Sequence, residues 1–140
     1  MLGCPKIQNM TLHQRLTQLV GKSIEINAAG LALEPGILQE VCPKTFIRVQ
    51  GELFVPRSLN FMKVFRIRKS TKFTRIGVRT TFKSGNLFFD IPLVQIGKDF
   101  IELQGKGSFP ERFLMPINKV AGFFEIVNSP SGNRKRTSAK

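Results

Sequence analysis

The chain opens with apolar side chains at helical spacing. Four of them fall on one face over residues 11–22, namely Leu12, Leu16, Leu19 and Val20. This spacing is typical of an amphipathic helix that packs on a core. Thr11 is a suitable N-cap and Gly21 a suitable stop signal. The sequence therefore predicts one short helix after a loose lead-in over residues 1–10.

Beyond the helix, apolar and polar residues alternate with a period of two. Residues 46–50, for example, place Ile47 and Val49 on one face of a strand and the other three side chains on the opposite face. Gly and Pro interrupt the alternation at short intervals, which is typical of small barrels built from short strands and tight turns. We expect Phe46 and Phe100 to pack in the cores of such barrels, because Phe is fully apolar.

One hexapeptide pattern occurs twice, as FIRVQG at 46–51 and as FIELQG at 100–105. The position that differs in character is Arg48 against Glu102. Other matched pieces follow in the same order: LVGKSIEI (19–26) with RIGVRTTF (75–82), GLALEPGIL (30–38) with NLFFDIPLV (86–94), LFVP (53–56) with FLMP (113–116), and VFRI (64–67) with FFEI (123–126). This common order predicts an internal repeat, with two copies of one module.

The repeat and the alternation together predict an all-β protein made of two tandem small five-stranded barrels. The first barrel, with its N-terminal helix, is expected over 11–67 and the second over 75–127, joined by a basic linker at 68–74. The tail at 128–140 has almost no apolar residue. A segment of that composition cannot bury enough apolar surface to order itself, so we expect the tail to be disordered.

The first module resembles Sm-like and SH3-like small barrels. The resemblance lies in QLVGKSIEI after the helix, in the central GILQEVCPKTFIRVQG and in the closing LFVPRSLNFMKVFRI, and it covers 19–67 more fully than 75–127. The same skeleton is similar to short barrel domains of spore-forming bacteria. The first resemblance implies RNA binding, and the second implies a coat or accessory role.

Basic residues concentrate between Glu52 and Asp90, where the chain has no acidic residue, and its net charge is +13. A basic block of this kind is an electrostatic footprint for a polyanion, and we favour a nucleic acid, RNA above all. The tail adds Arg134, Lys135, Arg136 and Lys140. The predicted nucleic-acid-binding residues are Arg57, Lys63, Arg66, Arg68, Lys69, Lys72, Arg75, Arg79 and Lys83.

The residues needed for catalysis do not form a pattern. His13 is the only histidine, the carboxylates are scattered, and GKS at 21–23 lacks the upstream glycine of a phosphate-binding loop. Cys4 and Cys42 belong to no metal-binding spacing. The sequence therefore predicts a protein that is not an enzyme and that uses no cofactor and no metal.

Localisation is inferred from segments that the sequence lacks. The first residues contain no apolar stretch of signal-peptide length, and no apolar run approaches the roughly 18 residues of a membrane span. Two cysteines in unrelated contexts fit a reducing compartment. We therefore expect a cytoplasmic protein without a membrane span.

Two alternative functions remain open. Small barrels with open strand edges can pair edge to edge, which would make the chain a structural protein that assembles into a coat-like or ring-forming homo-oligomer. The basic linker also has a partial resemblance to PilZ barrels, which implies a small-anion or cyclic-dinucleotide effector. Arg68 and Arg75 are the arginines that carry this resemblance, but they are seven residues apart where the family pattern is RxxxR, and Asp90 follows Ser84 and Gly85 instead of preceding them.

Overall fold

A computed structural model describes residues 4–31, 33–43, 45–81, 87–105 and 110–126. These residues form one α-helix, ten strands and two short 3-10 helices. The elements are α1 (Leu12–Gln18), β1 (Ser23–Asn27), β2 (Gly36–Val41), β3 (Ile47–Val49), β4 (Glu52–Phe54), a 3-10 helix (Pro56–Ser58), β5 (Phe61–Phe65), β6 (Thr74–Thr80), β7 (Leu87–Ile96), β8 (Phe100–Gln104), β9 (Glu111–Pro116), a 3-10 helix (Ile117–Lys119) and β10 (Val120–Glu125).

The predicted helix is confirmed, and its start is fixed by reciprocal capping. The Thr11 hydroxyl accepts a hydrogen bond from the Gln14 amide at 3.1 Å, and the Gln14 side chain accepts one from the Thr11 amide at 2.8 Å. Two orphan amides of the first turn are thereby satisfied. Beyond the helix the chain reverses at Gly21, whose φ of +98° is readily available only to glycine.

The ten strands form one antiparallel sheet in the order β10-β6-β7-β8-β9-β5-β1-β2-β3-β4. The predicted all-β class is therefore confirmed in its coarse form. The pairings among the described residues leave the sheet open, with β10 at one end and β4 at the other.

The same strand order occurs twice within this sheet. In β1–β5 and in β6–β10 alike, the fifth strand lies beside the first, and a 3-10 helix separates the fourth strand from the fifth. We call these sets the first half and the second half. They join where β5 pairs with β9, and we call this pairing the internal junction.

The repeated hexapeptides occupy equivalent places, and strand pairing corrects the alignment elsewhere. They form β3 and β8, the third strand of each half. In each half the pairing between the second and the third strand contains a register shift. Val49 pairs with Glu52, whereas Leu103 pairs with Phe113. Leu53 therefore corresponds to Leu114, one residue beyond the match that the letters LFVP and FLMP predict.

Two apolar clusters fill the fold, and the second half contributes to both. One cluster contains Leu12, Leu16, Leu19, Ile24, Ile26, Leu38, Ile47, Val49, Phe54, Leu59, Met62, Val64, Phe100 and Leu114. The other contains Ile76, Val78, Ile91, Leu93, Ile96, Ile101, Leu103 and Met115. Phe100 and Leu114 belong to the second half but pack in the cluster of the first half. One face of β8 therefore packs on each cluster, and the strand is buried along its whole length.

The expectation for Phe46 is wrong, and that for Phe100 is confirmed. Phe46 is 40% exposed, whereas Phe100 is fully buried. The buried face of β3 is formed by Ile47 and Val49, and Phe46 precedes the strand on the opposite face. The two phenylalanines differ because β8 is covered on both faces and β3 on only one.

Parts of the sequence analysis lie outside the described residues. These are the tail at 128–140 and the residues Lys83, Ser84 and Gly85. Among the described residues, no helix is long and apolar enough to cross a membrane.

Replacing Phe100 by Ala is expected to lower the free energy of unfolding by about 3–5 kcal/mol, because it removes a large side chain from a closed core. Phe46→Ala, the matched change in the other hexapeptide, is expected to cost only about 0.5 kcal/mol in dilute solution, because its site is open. Urea denaturation of the two variants measures both values. Equal costs would contradict the two-sided burial of β8.

Candidate nucleic-acid interface

Among the described residues, a dense group of exposed cations lies in the chain between β5 and β6. We call residues 66–73 the basic segment. The side chains of Arg66, Arg68, Lys69 and Lys72 are all exposed to solvent. Among the described residues, none of these four cations takes part in an ion pair. Their charge is therefore available to an external anion.

The basic segment begins with a turn that only the surrounding contacts can hold. Arg66 has a φ of +64°, a left-handed conformation that is uncommon for a residue with a side chain. Its amide donates to the Pro110 carbonyl at 2.8 Å, and its carbonyl accepts from Lys22 Nζ at 3.1 Å. These contacts use the backbone of Arg66, so its guanidinium stays free to point into solvent.

Buried polar groups hold the next residues of the basic segment by their backbone. Arg112 Nη2 donates to the Arg68 carbonyl at 2.7 Å, and the Ser70 amide donates to Gln104 Oε1 at 2.6 Å. Both Arg112 and Gln104 are buried. These two hydrogen bonds anchor the backbone of the basic segment to the sheet, while its cationic side chains remain exposed.

The anchor itself depends on a buried carboxylate. Glu102 has no solvent exposure and receives hydrogen bonds from Arg15 at 2.8 and 2.9 Å, from Gln95 at 2.8 Å and from Arg112 at 2.5 Å. Burial alone would raise the pKa of Glu102, but the hydrogen bonds and charge of Arg15, with Gln95 and Arg112, outweigh it and hold this pKa below its usual value. Arg15 belongs to α1, so one carboxylate links the helix, the sheet and the basic segment.

A groove of about 700 Å³ adjoins the start of the basic segment. It is lined by Gly21, Lys22, Ser23, Pro35, Ile37, Phe65, Arg66 and Pro110. Its charged side chains, Lys22 and Arg66, are both cationic, and its walls are apolar. A groove of this composition suits a ligand with one anionic part and one flat apolar part.

An aromatic ring ends the basic segment. Phe73 lies next to Lys72 and is 45% exposed. Exposed aromatic rings beside cations provide stacking platforms for the bases of single-stranded nucleic acids. This exposure was not predictable from the sequence, because an alternating pattern does not show which Phe side chains a core covers.

Two predicted interface residues lie within the sheet and already have carboxylate partners. Lys63 Nζ lies 3.8 Å from Glu25 and 3.8 Å from Glu111. Arg75 donates two hydrogen bonds to Asp90, at 2.6 and 2.7 Å, and these raise the pKa of its guanidinium. Both charges are largely neutralised within the fold.

The remaining predicted residues lie apart from the basic segment in sequence. Arg79 lies on β6 with its guanidinium 5.5 Å from the centre of the Phe124 ring. Arg57 is exposed in the first 3-10 helix, and Asn118 of the second 3-10 helix donates to its carbonyl at 3.3 Å. Lys83 lies outside the described residues. Whether any of these contacts a nucleic acid stays a prediction.

Sequence reasoning missed Lys22 and Phe73. Lys22 lies far from the basic block in the sequence, and only the pairing of β1 with β5 brings it to Arg66. The described residues contain no group of three or more His, Cys, Asp or Glu side chains that could hold a metal ion.

Comparison of this chain with known proteins gives no relative. It matches no protein-family model, no curated protein and no solved structure.

Replacing Glu102 by Gln is expected to lower the free energy of unfolding at pH 7 by about 3–5 kcal/mol, because the buried Arg112 and the partly buried Arg15 lose their counter-charge. Since the pKa of Glu102 is lower in the folded than in the unfolded chain, its stabilisation is present above the unfolded pKa of about 4.3 and is lost as the pH falls through the folded pKa. The variant should therefore lose less stability between pH 5 and pH 3 than the parent, as urea midpoints across about this range would measure.

Glu40→Gln is the matched control. Glu40 pairs with Arg48 at 3.2 Å on an exposed surface. Such pairs contribute about 0–1 kcal/mol. If Glu40→Gln and Glu102→Gln were equally destabilising, the buried carboxylate would not be the anchor.

Proposed function

We propose that this protein is a non-enzymatic module that binds single-stranded nucleic acid, RNA in preference to DNA, along the basic segment. The observation that supports this most directly is a strip of exposed cations that have no carboxylate partner among the described residues, on a backbone that Arg112 and Gln104 anchor. An anchored backbone loses little conformational freedom when its side chains meet a phosphate chain, so more of the electrostatic attraction appears as affinity.

We further infer that each half is a small barrel of the Sm-like or SH3-like kind. The repeated strand order, the 3-10 helix before each fifth strand and the separate apolar clusters support this classification. Small barrels of this size commonly bind their ligands on loops and strand edges, where the basic segment lies.

In the proposed complex, phosphates contact Arg68, Lys69 and Lys72 while a base stacks on the Phe73 ring. A neighbouring nucleotide enters the groove, where Lys22 and Arg66 face its phosphate. Phosphate contacts provide affinity and position but carry no sequence information. The module should therefore bind many sequences, with modest preferences set by stacking.

Changing Arg68, Lys69 and Lys72 together to Ala is expected to weaken binding to a fluorescent single-stranded RNA roughly 10- to 100-fold at about 150 mM salt. Loss of three phosphate contacts should also reduce the slope of log K against log salt by about 2, because each contact releases about 0.7 counterion from a single strand. The fold should persist, since the Arg112 bond uses the Arg68 backbone. Fluorescence anisotropy at several salt concentrations measures both quantities.

A charge-matched control uses Lys6, Lys98 and Lys119, changed together to Ala. Both triple variants lower the net charge by three, from +13 to +10. Equal losses in the two variants would mean that binding follows total charge and would refute a defined interface. Single-stranded DNA and heparin as competitors then test whether RNA is preferred.

Phe73→Leu is expected to weaken the same binding about 5- to 100-fold, because it removes a stacking ring worth about 1–3 kcal/mol per base. Phe73→Tyr retains the ring and should bind like the parent. Anisotropy titrations compare the three chains, and thermal unfolding checks their folds. If the Leu and Tyr variants bound equally well, stacking on Phe73 would be excluded.

A further inference from the structure

Among the described residues, the ten-stranded sheet ends in two strands whose outer edges pair with no other strand. Within the described part of the chain, β10 pairs only with β6, and β4 pairs only with β3. A free edge presents a row of unpaired backbone groups that can pair with another strand. The two edges belong to different halves and to different positions in the repeated order.

The internal junction already pairs the same two kinds of strand. There the fifth strand of the first half, β5, runs antiparallel to the fourth strand of the second half, β9. The free edges are the remaining fifth strand, β10, and the remaining fourth strand, β4. The chain thus pairs one fifth strand with one fourth strand internally, β5 with β9. The other fifth strand, β10, and the other fourth strand, β4, could make an equivalent pairing.

The outer faces of the two halves support the same correspondence. At the internal junction, Phe100 and Leu114 of the second half are fully buried against the first half. Their counterparts are Phe46, at the same place in the hexapeptide, and Leu53. These two are 40% and 45% exposed. An apolar surface that is covered in one half is therefore uncovered in the other.

We propose that β10 of one chain pairs antiparallel with β4 of a second copy of this chain, and that this contact covers Phe46 and Leu53. The internal junction gives the register. Met62 pairs there with Leu114. The 3-10 helix and the fourth strand of each half fix the equivalence here, so Met62 corresponds to Phe123, two residues beyond the match that the letters VFRI and FFEI predict. Phe123 of one copy should therefore face Leu53 of the next.

The backbone of β10 points the right way for this register. The Ile126 amide donates to the Arg75 carbonyl of the neighbouring β6 segment. Successive residues of a strand alternate in direction, so the backbone groups of Phe123 and Glu125 point away from β6. At the internal junction the Arg66 amide donates to Pro110, so the groups of Met62 also point toward the partner strand.

The backbone of β4 is also oriented as the proposed pairing with β10 requires. The Phe46 carbonyl accepts from the Cys42 amide, on the β2 side of β3. By alternation Ile47 and Val49 face β4, where they pair with Phe54 and Glu52. The backbone groups of Leu53 therefore point outward, as the register requires.

This contact joins two different surfaces, so it is heterologous. Each added copy leaves one β10 and one β4 free at the ends of the assembly. Heterologous contacts of this kind close into a ring or continue as an open chain, according to the rotation between copies.

The first test blocks each edge separately. Leu53→Lys puts a charge into the apolar contact, and Glu125→Pro removes an outward amide without touching the bonds to β6. Light scattering after size exclusion should show that the parent's mass rises with concentration while each variant stays monomeric. A mixture of the two variants should form a dimer and nothing larger, because only one β10 and one β4 remain intact.

Matched variants control for charge and for loss of the side chain. Leu31→Lys places the same charge on another exposed leucine, 42% exposed in the loop between β1 and β2. Glu125→Ala removes the same carboxylate but keeps the amide. Both controls should associate like the parent.

The second test traps the register and needs no blocking variant. Phe124 corresponds to Lys63 and Glu52 to Phe113, a directly opposed pair at the internal junction. Glu52→Cys and Phe124→Cys are made in separate chains in which Cys4 and Cys42 are Ser. Opposed residues lie about 4.5–5.5 Å apart between Cα atoms, which suits a disulfide. Mild oxidation of the mixture should give a cross-linked dimer, and neither chain alone should give one.

A parent that stays monomeric at every concentration overturns the proposal. A dimer cross-linked by Glu52→Cys alone also overturns it, because two β4 edges would then pair with each other. Association that survives both Leu53→Lys and Glu125→Pro would place the contact on another surface.

Discussion

The buried carboxylate of Glu102 is the constraint on which the arrangement of this molecule depends. It lies on a strand of the second half, yet Arg15, which donates two hydrogen bonds to it, belongs to the helix that precedes the first half. A charge without solvent exposure is tolerated only where its hydrogen bonds are satisfied. The helix, β8 and β9 must therefore come together in one geometry, and that geometry fixes the Arg112 side chain that holds the basic segment.

Local chemistry made the helix and the strand positions predictable. The capping pair and the glycine after the helix are short-range signals, and the alternation in 46–50 correctly separated Ile47 and Val49 from their neighbours. The different burial of Phe46 and Phe100 was not predictable, because the two identical residues have different neighbours once one half packs on the other. Letter matching was also wrong by one residue in the fourth strands, because Leu103 and Phe113 are seven residues farther apart along the chain than the equivalent Val49 and Glu52, whereas the matched letters account for six.

The candidate interface was predictable as a stretch of charge but not as a surface. Lack of acidic residues between Glu52 and Asp90 located the block. It did not show that Lys63 and Arg75 have carboxylates from neighbouring strands, because those partners are set by register. For the same reason Lys22 was overlooked. Which charges remain free is a property of strand pairing, and strand pairing is a long-range outcome of the fold.

The single difference between the two hexapeptides bears on how the two kinds of junction differ in strength. Glu102 at the internal junction has Arg15 of the helix as its partner, whereas Arg48, in the same place of the other hexapeptide, pairs with exposed Glu40. The second half begins after the basic segment, with no helix before β6 among the described residues. A contact between copies would therefore share the strand pairing and the apolar cover of the internal junction but lack its buried ionic clamp. Such a contact is expected to be reversible and concentration-dependent, while the internal one, made within a single chain, persists at any dilution.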